Sequence, residues 1–334
     1  MKFATLKELR VWIDRLGQEF NLIAPQDVCG HVLYRPATSS DQVLFDYQRP
    51  EMSAKEYVLP DTEVILRIKQ QGKQVELEER LPPDPQVLFG IRPCDAHGLS
   101  VIDALFLEED PVDRIYQHYR ERTVLVGLAC PEMWEGCFCT SMGGGPHDPT
   151  HLDVLLWQAD GGYGVQGLTE KGISLLAKLT AEERSAELVP YVEDAEAVPM
   201  APPREWRSLF TDQIWRRHGE RCLSCRICTY VCPTCRCFDV TDRTTEMRPG
   251  VTRIERIRVW DACTSTNYRR VAGGHNPRAT KPDRLRNRFL CKFCYYPEDF
   301  GPTGCVGCGR CIVSCPVDID ITEVMREVAE GRGT

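Results

Sequence analysis

The residues best suited to chemistry in this chain are its cysteines, 18 of them in 334 residues. They are clustered. Cys222, Cys225, Cys228 and Cys232 form one tight run that ends on Pro233. Cys305, Cys308, Cys311 and Cys315 form another that ends on Pro316. Both runs follow C-x2-C-x2-C-x3-C-P, the bacterial spacing for 4Fe–4S cubanes. A cubane needs four thiolates arranged tetrahedrally around a compact core. Three cysteines at every third position wrap one loop around three irons, and the fourth comes from farther away. Where two such runs share a chain, the fourth cysteine of each serves the other run's cluster. This predicts one cluster on Cys222, Cys225, Cys228 and Cys315, and a second on Cys305, Cys308, Cys311 and Cys232. Structural zinc ordinarily takes paired C-x2-C motifs rather than three cysteines in one loop. A zinc-stabilised, non-redox scaffold is therefore the weaker reading.

A looser set is Cys94, Cys130, Cys137 and Cys139. QVLFGI (86–91) and TVLVGLA (123–129) read as buried strands, and HGLSVIDALFL (97–107) between them has helical periodicity. Strand, helix and strand in that order suggest a parallel βαβ unit. Cys94 and Cys130 then lie at the carboxyl ends of parallel strands, the sheet edge where open α/β sheets place ligands. Cys137 and Cys139 follow in the loop CFCTSMGGGP, whose Gly143, Gly144 and Gly145 let the backbone come close to a bulky group. The four thiols form a candidate third 4Fe–4S site. Inert or zinc-binding cysteines remain the alternative, because this spacing is weakly specific. A substrate site of the chain's own, centred on these cysteines, is a rival reading. Asp95 and His97 could orient a ligand, though a turn or cap for Asp95 and a structural role for His97 serve equally well. Cys235 and Cys237 could shield a cluster or bind something with Cys291 and Cys294. The plainer expectation for them, and for Cys29 and Cys263, is free cysteine in a core.

The elements that must position these groups are partly legible. Leu6, Leu9, Ile13, Leu16 and Phe20 predict an amphipathic helix over 5–20 with Thr5 as its N-cap. Val64–Ile68 reads as a strand, and HLDVLLWQ and YGVQGL as strands joined at Asp160-Gly161-Gly162. The acidic, Pro-rich stretch 184–205 is the linker candidate. WRSLFTDQIWRRHGE then leads as a helix into the first dense run, and Asp320–Glu330 closes the chain as a short helix. The expected class is mixed, α+β with α/β character. It comprises an N-terminal α/β domain (1–205) with a parallel βαβ unit and a C-terminal, mainly helical dicluster ferredoxin-like domain (206–334) with a long insertion (238–304). The Arg-rich segment 243–288 is either a docking face or a solvated surface.

Net charge of −8 argues against a general nucleic-acid binder. No apolar run reaches the length of a membrane span, and the charged start MKFATLKELRVWIDRLGQEF lacks a signal core, so a cytoplasmic protein without membrane contact is expected. There is no G-x-G-x-x-G fingerprint and no Walker motif.

The strings IRPCDAHGL, VGLACPEMWEGCFCTSMGGGP, WDACTSTNYRRVAGGHNPR, RNRFL and GCVGCGRCIVSCPVDIDI carry a resemblance. Over roughly residues 85–325 the chain resembles the iron–sulfur β subunit of cytosolic NiFe hydrogenases of the sulfhydrogenase type. It is equally similar to the corresponding iron–sulfur subunit of anaerobic sulfite reductase. The resemblance implies an electron-transfer subunit of a soluble complex, lying beside a flavin- and NAD(P)-binding subunit. The catalytic metal would sit elsewhere, in NiFe hydrogenase small and large subunits or in a siroheme sulfite reductase subunit. It also strengthens the third 4Fe–4S cluster. Cys291 and Cys294 depart from the family pattern, where a non-cysteine is expected at one or both.

Overall fold

Two sheets organise the chain in a computed structural model that describes residues 2–81, 84–181, 197–268 and 270–331. The strands are β1 (Lys2–Ala4), β2 (Asn21–Val28), β3 (His31–Pro36), β4 (Thr62–Gln71), β5 (Gln74–Glu79), β6 (Gln86–Ile91), β7 (Thr123–Leu128), β8 (Val154–Ala159), β9 (Gly162–Gly167), β10 (Phe238–Arg248) and β11 (Val251–Trp260). The larger sheet has seven strands in the order β1-β9-β8-β7-β6-β2-β3. Its centre, β2, β6, β7 and β8, is parallel. Its edges are antiparallel, with β3 on β2 and with β9 between β8 and β1.

The βαβ expectation holds. All six residues of β6 are buried, as a strand covered on both faces must be. Val87 and Phe89 pack on one side with Leu9, Trp12 and Ile13 of the helix Leu6–Glu19. Leu88 and Ile91 pack on the other with Leu99, Ile102 and Phe106 of the helix Pro93–Phe106. The first helix starts where expected. The Thr5 hydroxyl accepts from the Glu8 N–H at 3.3 Å, and the Glu8 carboxylate accepts from the Thr5 N–H at 2.7 Å, closing a capping box. The second helix starts four residues earlier than its periodicity suggests. Pro93 occupies its first turn, where a missing N–H costs nothing. The sequence pattern does not predict the helix Arg114–Glu121.

The smaller sheet, in the order β10-β11-β4-β5, spans the two halves of the sequence. β4 and β5 precede the expected boundary at 205/206 and β10 and β11 follow it, so part of the stretch 238–304 completes an N-terminal hairpin. Of the linker candidate, residues 182–196 lie outside the described residues; 197–202 are irregular, and Pro203–Ser208 is a helix. The Arg-rich hairpin is largely neutralised by carboxylates within it and beside it. Arg243 meets Glu255 at 2.8 Å, Arg256 meets Asp242 at 2.8 Å, and buried Arg258 bridges Glu63 and Asp113. The C-terminal part is otherwise helical around a third core, where Trp206, Trp215, Phe289, Phe293 and Met325 pack with Phe138 and Met142 from the N-terminal cysteine loop. None of the described helices is long and apolar enough to cross a membrane.

Candidate metal centres

The structure gathers the predicted cysteines around three cavities. Cys222, Cys225, Cys228 and Cys315 line the first. Its loop turns through left-handed backbone at Ser224 (φ 57°) and Arg226 (φ 71°). The turn aims N–H groups at sulfur: Ser224 donates to the Cys222 Sγ at 3.4 Å and Ile319 to the Cys315 Sγ at 3.3 Å. Apolar Leu285, Phe289 and Ile321 close its walls.

Cys232, Cys305, Cys308 and Cys311 line the second cavity. Cys315 thus lines the cavity of the first run and Cys232 that of the second. Lys292 is buried against this cavity. Its ammonium donates to the Cys232 Sγ at 3.4 Å, the Thr234 hydroxyl at 2.9 Å and the Gly304 carbonyl at 2.6 Å.

Cys94, Cys130, Cys137 and Cys139 line the third cavity, together with Cys308. Cys94 lies in the first turn of the helix after β6, and Cys130 follows the end of β7. The loop that carries Cys137 and Cys139 docks directly on the C-terminal run, with the Phe138 N–H donating to the Gly307 carbonyl at 2.8 Å. Arg49 donates to the Cys137 Sγ at 2.9 Å. Of the three glycines in this loop only Gly143 has positive φ, and a Cβ on Gly143 or Gly145 would meet nothing within 4 Å. Gly145 lines the cavity itself, so any close approach there is to the cavity and not to protein.

The donor set fits iron–sulfur clusters. Each cavity is lined by four or five cysteines, and none but the third, with Glu132, has a carboxylate among its lining residues. Burial pushes the Cys130 and Cys139 thiols up to about 12 and Cys305 up to about 11. Without a cation these sulfurs hold their protons, and binding metal must release them. The surrounding charge is positive. Lys292 and Arg288 are both 4% exposed, neither is ion-paired to a carboxylate among the described residues, and the Arg288 Nη2 has no hydrogen-bond partner. Buried cations of this kind call for an anionic neighbour, and a cluster ligated by four thiolates is one.

The cavities form a row. The first and second share Cys311 and Arg288, and the second and third share Cys308. The cations at these sites come from remote positions and were missed in the sequence, since nothing local distinguishes Arg49, Arg288 or Lys292 from surface residues. Asp95 is 1% exposed and pairs with Arg310 at 2.8 Å, a structural tie rather than a ligand contact. His97 stacks on His151 at 5.0 Å. Cys29 departs from expectation: it is exposed in the turn between β2 and β3, at φ 57°. Cys294 is buried in the third core, while Cys291 faces Arg236 at 3.8 Å, so the two do not act as a C-x2-C pair.

Comparison with known proteins decides the family. Residues 221–319 match the 4Fe-4S dicluster domain. The chain is 32% identical over 312 residues to sulfhydrogenase 2 subunit beta of Pyrococcus furiosus, covering 89% of each chain. The chain belongs to the sulfhydrogenase beta-subunit family. No solved structure matches it. Membership favours the hydrogenase side of the resemblance and agrees with the presence of 4Fe–4S clusters at the dense runs.

Proposed function

We propose that this chain is a relay carrying single electrons along three 4Fe–4S clusters between a flavin- and NAD(P)-binding subunit and a NiFe hydrogenase module. The observation that carries the reading is the row of three cysteine-lined cavities, each joined to the next through one shared cysteine. Cys222, Cys225, Cys228 and Cys315 would hold the first cluster, Cys232, Cys305, Cys308 and Cys311 the second, and Cys94, Cys130, Cys137 and Cys139 the third. When bound, the clusters supply one-electron redox chemistry whose potential is set by net charge, hydrogen bonds to sulfur and exposure. The chain does the rest. Its loops fix the sulfurs, its apolar walls exclude water, and Arg49 and Lys292 bias the local charge. The unit 1–205 would contribute the third site and 206–334 the other two. A relative named as a beta subunit supports assembly with further subunits, and its hydrogenase name favours that module over a siroheme sulfite reductase.

Iron, zinc and acid-labile sulfide measured on anaerobically purified chain test the reading. Three clusters give roughly twelve irons and two give about eight. Zinc without sulfide would overturn the relay. In the Cys130→Ser chain about four irons should disappear, and unchanged iron content would reject the third site. Co-purification with a NiFe-containing subunit is expected, and a siroheme partner in its place would move the chain to the sulfite reductase side.

A further inference from the structure

Five cysteines lie outside the three cavities on the C-terminal side, and two of them meet. Cys237 immediately precedes β10 and Cys263 lies just beyond β11, so the hairpin's pairing of Phe238 with Trp260 brings their backbones side by side. The Asp261 N–H donates to the Cys237 carbonyl at 2.9 Å. The Cys237 and Cys263 side chains adjoin each other, with the Tyr268 side chain against Cys237. Cys237 is partly exposed and Cys263 is buried.

Their surroundings connect them to the second four-cysteine site. Cys235 lies between Cys237 and Cys232 in sequence, its N–H donating to the Cys232 carbonyl at 3.4 Å and its side chain adjoining that of Cys232. The Lys55 ammonium, buried and donating to the Cys235 carbonyl at 2.9 Å, is close enough for its charge to act on Cys232, Cys235 and Cys237 alike. Arg288 reaches from the cavity wall to the Cys235 Sγ at 3.7 Å. Mononuclear metal binding does not explain this group. Among the described residues, the only set of three or more His, Cys, Asp or Glu donor atoms close enough for one ion is His218, Glu323 and Glu327. That set is already tied to Arg217 and Arg221.

We propose that Cys237 and Cys263 form a reversible dithiol–disulfide couple wired to the second four-cysteine site. Oxidation forms the Cys237–Cys263 Sγ–Sγ bond, releases two protons and hands two electrons, one at a time, to the oxidised clusters of the relay. Reduction breaks the bond by the reverse flow. The adjoining Cys263 and Tyr268 side chains pull the Cys237 thiol below the ordinary range against the effect of burial, and the nearby Arg236 charge assists. Cys237 is therefore the thiol that gives up its proton first as the Sγ–Sγ bond forms. The couple gives a chain of one-electron carriers a place to hold an electron pair. The inference rests on the relay reading for its electron partner.

Two measurements on the full chain with its clusters test it. Acid-quenched, maleimide-blocked protein should yield a Cys237–Cys263 cross-linked peptide after anaerobic oxidation with thionine and none after dithionite. Reductive titration should consume two more electrons per chain in the wild type than in Cys237→Ser or Cys263→Ala, with iron and sulfide unchanged in both variants. Absence of the peptide from protein with full iron and sulfide would overturn the couple while leaving the relay intact. Loss of about four irons in Cys237→Ser would also overturn it, by making the residue a cluster ligand. Wild-type protein without sulfide would sink the relay and with it the couple's electron partner.

Discussion

Lys292 shows how one side chain can set the behaviour of a site. Burial would favour its neutral form, but the adjoining Cys232 thiolate outweighs burial and holds the ammonium charged. A hydrogen bond to a charged group contributes about 1.5–3 kcal/mol. The bond strengthens as negative charge accumulates on sulfur, so it favours the reduced form of whatever the four sulfurs hold. Only the difference between oxidation states moves a potential, and on the order of 50 mV is expected, given that about 59 mV is tenfold for one electron. Lys292→Met should therefore shift one of the midpoint potentials in an electron-paramagnetic-resonance titration to more negative values and leave the others in place. Lys292→Arg should restore most of the shift. An unchanged set of potentials would mean that the ammonium acts only through Thr234 and Gly304, as packing.

At the scale of elements, the contact between the N-terminal cysteine loop and the C-terminal run is so close that it tolerates no side chain. Gly309 sits at φ 72°, and a Cβ there would lie 2.4 Å from the Gly136 carbonyl. Gly307, at φ 65°, would meet the Phe138 carbonyl at the same distance. Gly309→Ala combines left-handed backbone with a backbone clash and should cost about 3 kcal/mol or more. Thermal unfolding would show it as a lower midpoint. Iron analysis should show losses at the second and third sites before the first, because Gly309 and Gly136 join those two. The sequence carried the dense runs and the βαβ placement of Cys94 and Cys130, because motif spacing and strand periodicity are local signals. It did not carry the sheet β10-β11-β4-β5. Its strands are charged on their exposed positions and pair across most of the chain, as Arg258 does with Glu63 and Asp113, and no local pattern records such partners. It also misplaced Cys29, whose turn conformation is decided by the hairpin around it.

Over the whole molecule the sites can form a row only if the two halves stay locked, and one buried ion pair lies at that junction. Asp95, in the first turn of the helix after β6, meets Arg310 of the C-terminal run at 2.8 Å, each 1% exposed. Tyr34 donates to the same carboxylate at 3.1 Å, and Arg310 donates onward to the Pro50 carbonyl at 2.8 Å. Arg310 is close enough to Cys94 and Cys308 for its charge to act on both sulfurs. Gly98 of the same helix faces Pro233, which a Cβ would meet at 2.4 Å. Removing one partner of a buried pair strands the other charge and costs about 3–5 kcal/mol, whereas removing both is far cheaper. Asp95→Asn and Arg310→Met should therefore each lower the unfolding midpoint strongly, and the double variant should be more stable than their sum predicts. A relay adds a second expectation. In Asp95→Asn the guanidinium no longer has its carboxylate and turns its full charge on the Cys94 and Cys308 sites, so both potentials should rise while that of the Cys222 site stays fixed. Additive destabilisation with unmoved potentials would show that the pair neither holds the halves together nor sets the charge between them.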